Sequence, residues 1–242
     1  MKHLPFSQYI IPRPALALAC LLGLPCVSAL AADGDAPAAP ANATTEDFEN
    51  NSIDTPPNGL LPGRPGKGGN AEWKVIEASD APSGSKILTQ KSAIQIRARY
   101  PHIVHNSFVA ADVDVSVKFK TLTGTLDQAA GIVFRYRDSK TYYVVRASAV
   151  DNNVVAFKHE LGRQSNLGVK GKETAFGVDT RVLPRRWNTL RVIAKGSLIE
   201  VFLNDKKLFE VEDDTFPGAG RVGIWTRADS VTLFDDFVAG EP

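Results

Sequence analysis

Apolar and polar side chains alternate with a period of two through much of this chain, the spacing that places successive residues on opposite faces of a β-strand. Val113, Val115, Val117 and Phe119 point one way, and Asp112, Asp114, Ser116 and Lys118 the other. The pattern predicts strands at 73–77, 86–90, 94–98, 108–121, 130–137, 142–149 and 154–161. It continues at 167–169, 178–183, 187–194, 198–203, 207–211, 220–226 and 230–238. Past the N-terminal region no stretch shows helical periodicity. Many strands without helices predict an all-β chain folded as a two-sheet antiparallel sandwich. Asn204 and Asp205, which tolerate positive φ, supply a tight turn between two of these strands.

The segment from Gly131 to Leu161 reads as three antiparallel strands with turns at 138–141 and 151–153. Pairing Arg137 with Tyr142 places Ile132, Phe134, Tyr136, Tyr143, Val145 and Ala147 on a core face. The opposite face then holds Val133, Arg135, Arg137, Tyr142, Val144 and Arg146. Keeping Phe157 in the core brings Lys158 opposite Arg146 and turns His159 inward. Arg135, Tyr142, Arg146 and Lys158 thus form a candidate binding face. The competing reading is the solvated side of an antiparallel sheet.

Composition narrows the setting. Met1–Arg13 is basic, Ala15–Leu24 is an apolar run too short to span a bilayer, and Ala29-Leu30-Ala31 has the small residues of a signal-peptidase site. Residues 1–31 are therefore expected to be a cleaved signal peptide, and the chain periplasmic or secreted. Both cysteines, Cys20 and Cys26, fall in that segment, so disulfides and thiolate metal sites are not expected. Removing Lys2 and Arg13 takes Lys+Arg from 28 to 26 against 27 acids, a balance with no general attraction for nucleic acid. Beyond the N-terminal segment no apolar run is long enough for a membrane helix. Residues 32–46 are Ala/Pro-rich and read as a disordered linker, leaving 47–240 for the folded domain. The Pro/Gly loop at 55–70 is long enough to border a site.

Trp187-Asn188-Thr189-Leu190-Arg191-Val192, the segment VFLNDKKLFEVED and the segment AGRVGIWTRADSVTLFDDF together resemble the concanavalin A-like jelly rolls related to laminin G domains. Within that group the chain is similar to the exported bacterial 3-keto-disaccharide hydrolase domains, and more distantly to family-16-like glycoside hydrolases. The resemblance spans about residues 47–238. It implies a jelly-roll sandwich and a concave sheet face where a saccharide or oxidised glycoside binds; separately, no cofactor is expected to be required, and a monomer is the oligomeric state entertained, which the sequence does not identify. Lectins, adhesive modules and enzymes share this fold, so it does not decide between binding and catalysis.

A retaining glycosidase needs two carboxyls about 5 Å apart. The nearest pair, Asp112 and Asp114, reads better as the polar side of a strand. Cleaving a 3-keto-glycoside is easier, because the ketone acidifies the neighbouring C–H and a base with a cation at the carbonyl oxygen suffices. Arg146, with Arg135 and Lys158, is the expected cation. Asp229 is the expected base, with a turn-forming role as its alternative. Trp225 offers a ring for a sugar and Arg227 a directional donor, though core packing competes for Trp225. Trp73 and Trp187 are assigned to the core. His102 and His105, three apart, suit a helix better than a strand and lack a third zinc ligand. Glu49, Asp235 and Asp236, on the first and last strands, are candidate ligands for a structural calcium. The alternatives to an enzyme are a non-catalytic carbohydrate-binding or adhesive module, and a structural envelope protein.

Overall fold

In the computed structural model, which describes residues 37, 38, 40, 43–63, 66–172 and 174–242, the alternating segments pair into strands, and no helix occurs among the described residues. In chain order these are β1 (Thr44–Glu46), β2 (Leu60–Pro62), β3 (Trp73–Glu77), β4 (Lys86–Gln90), β5 (His102–Ala110) and β6 (Val113–Thr123). Next come β7 (Ala129–Asp138), β8 (Thr141–Ser148), β9 (Asn153–Glu160), β10 (Arg163–Asn166) and β11 (Val178–Asp179). The last are β12 (Asn188–Lys195), β13 (Leu198–Leu203), β14 (Lys206–Glu212), β15 (Gly220–Trp225) and β16 (Val231–Gly240). The expected signal peptide, with Cys20 and Cys26, lies outside the described residues.

Two antiparallel sheets result. The first runs β14-β13-β12-β6-β16-β4-β3 with β1 beside β16, and the second runs β10-β9-β8-β7-β15-β5-β2 with β11 beside β9. Strands distant in sequence are neighbours in both sheets, and the two pack as a jelly-roll sandwich. Val115, Val117 and Phe119 from the first sheet meet Ile132, Phe134 and Val145 from the second in the core between them. The burial of these alternating positions is the main stabilising term, at roughly 1.5–3 kcal/mol for each large apolar side chain.

Several elements differ from the sequence expectation. The run at 108–121 is broken at Ala111-Asp112 into β5 and β6. His102 and His105 both lie on β5, so their spacing marks opposite faces of a strand. Residues 94–98 form no strand; the stretch leads to Arg99, fully buried, whose guanidinium donates to Asn70 O (2.9 Å) and Ser92 Oγ (3.1 Å). The 167–169 segment is likewise no strand, and 178–183 shortens to β11. Thr44–Glu46, expected in the linker, pairs with Ala239–Phe237 as β1. Trp73 is in the core as expected, but Trp187 is only half-buried, with its indole N–H donating to Asp80 O at 2.6 Å and the Lys120 ammonium over its ring.

The largest correction concerns β7. Phe134 pairs with Tyr143 and Asp138 with Thr141, so residues 135–137 bulge opposite Tyr142 alone. Arg135 adopts φ 46° to make the bulge. Arg135 thereby turns inward and Tyr136 outward, the reverse of unbroken alternation. On β9, Lys158 pairs with Tyr143 and His159 with Tyr142. Phe157 and His159 consequently lie on the outer face of the second sheet, and Lys158 on the inner side.

Candidate functional site

The outer face of the second sheet is an aromatic surface, where sequence reasoning expected a basic one. Val104, Val133, Tyr136, Tyr142, Val144, Phe157 and Trp225 form a second buried cluster there, with Tyr100 packed against it. Tyr100 stacks on Trp225 with ring centroids 5.8 Å apart, and Tyr142 stacks on His159 at 4.7 Å. The Pro/Gly loop lies close over part of this face: a Cβ at Gly63 would fall 1.8 Å from Nε2 of His102. Trp225 is wholly buried, so it supports the face and presents no ring to a ligand.

Of the four residues predicted to form the face, the structure leaves Tyr142 and Arg146 there. Arg135 is wholly buried and donates to three carbonyls, Ala111 O (2.7 Å), Phe216 O (3.3 Å) and Gly196 O (2.6 Å). A guanidinium used this way closes the sandwich end and is withdrawn from any ligand. Lys158 is held by Asp213 Oδ2 at 2.7 Å and Thr215 Oγ1 at 2.5 Å. The Tyr143 hydroxyl donates to the same Asp213 and accepts from Phe216 N (3.0 Å), so this group fixes the loop between β14 and β15.

Arg146 stands at a cleft. Its Nη1 donates to Asp127 Oδ2 (2.9 Å) and pairs with Asp151 (3.0 Å), while Nη2 donates to Asn153 Oδ1 (2.7 Å). Asp127 also accepts from Ser148 Oγ (2.6 Å) and lies 3.5 Å from Arg227 Nη1. Arg146 and Arg227, far apart in sequence, thus share one buried carboxylate. The cleft they border, about 330 Å³, is also lined by Phe157, Gln164, Asn166 and Phe176. Phe176 is 53% exposed. An open aromatic ring beside guanidinium and amide donors can cover an apolar sugar face while binding its hydroxyls. Sequence reasoning missed Phe176, Gln164 and Asn166 because they sit on or beyond β10, which alternation did not detect.

Asp229, expected as the base, serves this cleft indirectly. Its carboxylate accepts backbone N–H groups from Thr125 (2.8 Å), Leu126 (3.0 Å) and Asp127 (3.2 Å) and is buried. It therefore fixes the loop that presents Asp127 to Arg146, the turn-forming alternative.

A second cleft, about 380 Å³, opens on the same face around Tyr100, Tyr142 and His159, with Gly66, Lys67 and Lys140 at its edge. His159 was expected in the core. Its ring is buried and its Nε2 has no hydrogen-bond partner among the described residues. Burial, with His102 nearby, pulls its pKa down to about 4. His102 beneath it donates Nδ1–H to Tyr100 O (2.9 Å), which leaves Nε2 to accept from the Tyr136 hydroxyl (3.3 Å). Burial also lowers the pKa of His102.

The expected calcium ligands have protein partners. Glu49 Oε1 accepts from Ser85 N (2.8 Å) and Lys86 N (2.6 Å), and Asp236 pairs with Lys118 (2.7 Å) and accepts from Ser83 Oγ (2.6 Å). Asp235 is buried and accepts from Asp236 N (2.8 Å) and Ser83 N (3.1 Å). Among the described residues no three His, Cys, Asp or Glu side chains converge to hold a metal. The Asp112 and Asp114 carboxylates are engaged too, with Gly196 N (2.8 Å) and Arg191 Nε (2.8 Å) respectively.

Residues 66–234 match the model of the 3-keto-alpha-glucoside-1,2-lyase-like domain family. The fold is similar to that of the carbohydrate binding module CBM66 from Bacillus subtilis, at 18% identity and TM-score 0.58 over 76% of this chain and 96% of the module. It is also similar to the cellulose induced protein Cip1, at 14% identity and TM-score 0.54 over 82% of this chain and 97% of that one. At these identities the likeness is one of fold. No curated protein matches the sequence.

Proposed function

The chain belongs to the 3-keto-alpha-glucoside-1,2-lyase-like domain family, and from that premise we propose that it is an exported domain that binds a saccharide in the Arg146 cleft and cleaves 3-keto-glucosides by elimination. The observation that carries the binding reading is the cleft itself. Two arginines are fixed by one buried aspartate, and Phe157, Phe176, Gln164 and Asn166 surround the opening. Arg146 is engaged by Asp127, Asp151 and Asn153, while Arg227, its side chain 31% exposed, has N–H groups to offer to hydroxyl or carbonyl oxygens. CBM66, whose name describes carbohydrate binding, has the same fold. Export rests on the basic, apolar and small-residue order of residues 1–31.

The elimination reading follows from the chemistry of the family's named substrate. A ketone at C3 acidifies the hydrogen at C2, and loss of that proton lets the C1 oxygen depart as C1=C2 forms. The reaction needs a base and positive charge near the ketone oxygen. A non-catalytic module is the second reading. It is favoured by the engagement of both carboxylates at the Arg146 cleft, which leaves no free base there.

The test is release of p-nitrophenol from p-nitrophenyl 3-keto-α- and 3-keto-β-glucosides, with the unoxidised glucosides as controls. Release from a keto-glucoside alone is expected. Saccharide binding without release from any of them would establish the module reading instead.

A further inference from the structure

Resting on the elimination reading above, the geometry points to His159 as the base that removes the C2 hydrogen. Three independent observations converge on it. Nε2 of His159 is a buried polar atom with no hydrogen-bond partner among the described residues, a state native proteins seldom leave unused. The ring lines a cleft of about 380 Å³ and is held in place by Tyr142 stacked on one side and Tyr100 edge-on at 4.8 Å. The cleft lies beside the saccharide cleft on one strand: Phe157, two residues away on the same face of β9, lines the Arg146 cleft, with its ring centroid 5.7 Å from that of His159.

The surroundings hold the imidazole in its neutral form. The titratable and charged groups around the ring are His102, Tyr100, Tyr142, Lys67 and Lys140. His102 has a lowered pKa and the Tyr142 hydroxyl a raised one, both from burial. Among the described residues no carboxylate lines this cleft to hold the imidazole protonated. Burial keeps His159 neutral near neutral pH, with a lone pair to offer. Lys67 and Lys140 have no ion-pair partner among the described residues, which leaves their ammonium groups available to the ketone oxygen as it becomes an enolate.

In the step, an imidazole nitrogen of His159 takes the C2 proton and the C–H electrons form the C1=C2 bond. The C1–O bond breaks with its electron pair on the departing oxygen, which takes a proton from water, and the imidazolium returns its proton to solvent. The products are an unsaturated 3-keto sugar and an alcohol, with no net change in oxidation state.

The experiment compares the full chain with His159→Gln and His159→Ala, reading p-nitrophenol release from the 3-keto-glucosides and exchange of the C2 hydrogen for deuterium by NMR in heavy water. The expected result is a fall in kcat of about 10²–10⁴-fold with KM nearly unchanged, parallel loss of C2 exchange, and partial rescue of His159→Ala by added imidazole. Release and exchange within threefold of the unsubstituted protein in both variants would overturn the role of His159 and leave the elimination reading standing. No release and no exchange by the unsubstituted protein would overturn both. Should the variants fail to fold, histidine ring NMR of the unsubstituted protein decides: methyl 3-keto-glucoside must shift the His159 resonances, and unmoved resonances at saturation overturn the assignment.

Discussion

Arg135 and Arg146 sit on one hairpin and do opposite work. Arg135 donates to the carbonyls of Ala111, Phe216 and Gly196 with no exposed surface, so its removal strands buried acceptors. Arg135→Ala is expected to lower unfolding free energy by about 3–5 kcal/mol in a urea melt, and an unchanged midpoint would contradict the assignment. Arg146 is a poor choice for separating binding from folding, because its loss leaves Asp127 buried beside a weaker partner at 3.5 Å. Phe176 is the cleaner probe: Phe176→Ala should weaken saccharide binding by about 1 kcal/mol by calorimetry while the melting temperature stays fixed. Asp235 supplies a pH signature. Burial pushes its carboxyl up to about 6 from 3.8, so the folded chain holds the proton more tightly than the unfolded one. That contribution is complete below about 3.8 and is lost as pH rises through about 6. Asp235→Asn should therefore gain melting temperature relative to the parent between pH 4 and pH 7; an offset that stays constant over that range would show the carboxyl is unperturbed.

At the level of elements, the bulge in β7 determines which side chains reach the outer face of the second sheet. Gly220 on β15 makes the bulge possible: a Cβ there would lie 2.4 Å from the carbonyl carbon of Arg135, backbone that cannot step aside. Gly220→Ala is expected to cost about 2–4 kcal/mol in thermal or denaturant unfolding, and full stability would mean the bulge is not held by this contact. The bulge also marks where the sequence ceased to be readable. Leu198–Leu203 was predicted to its ends, and Asn204 and Asp205 take the positive φ (51° and 64°) expected of the turn. Strict alternation carries no sign of extra residues, so faces were exchanged for Arg135 and Tyr136. Lys158 and His159 were misplaced for another reason, the assumption that Phe157 faces the core. One signal pointed the other way: the unbroken apolar runs Ala129–Phe134 and Tyr142–Val145 are those of strands covered on both sides, and both faces of β7 and β8 are buried.

For the whole molecule, the sandwich could be read from strand content and the absence of helical periodicity, whereas strand order could not, since it is set by pairings between distant segments. The site was half legible. Arg146 and Arg227 were named from sequence, but Asp127, which brings them together, and His159, which lies in the neighbouring cleft, depend on tertiary register. What emerges is a division of labour between the sheets: the buried face between them stabilises, and the outer face of the second carries two adjoining clefts. The most direct measurement of that claim is backbone amide NMR during titration with methyl 3-keto-glucoside. Shifts should concentrate on β8, β9, β10 and the neighbourhood of Phe176. Shifts concentrated on the first sheet, or at the separate cleft between Lys170 and Phe209, would contradict it.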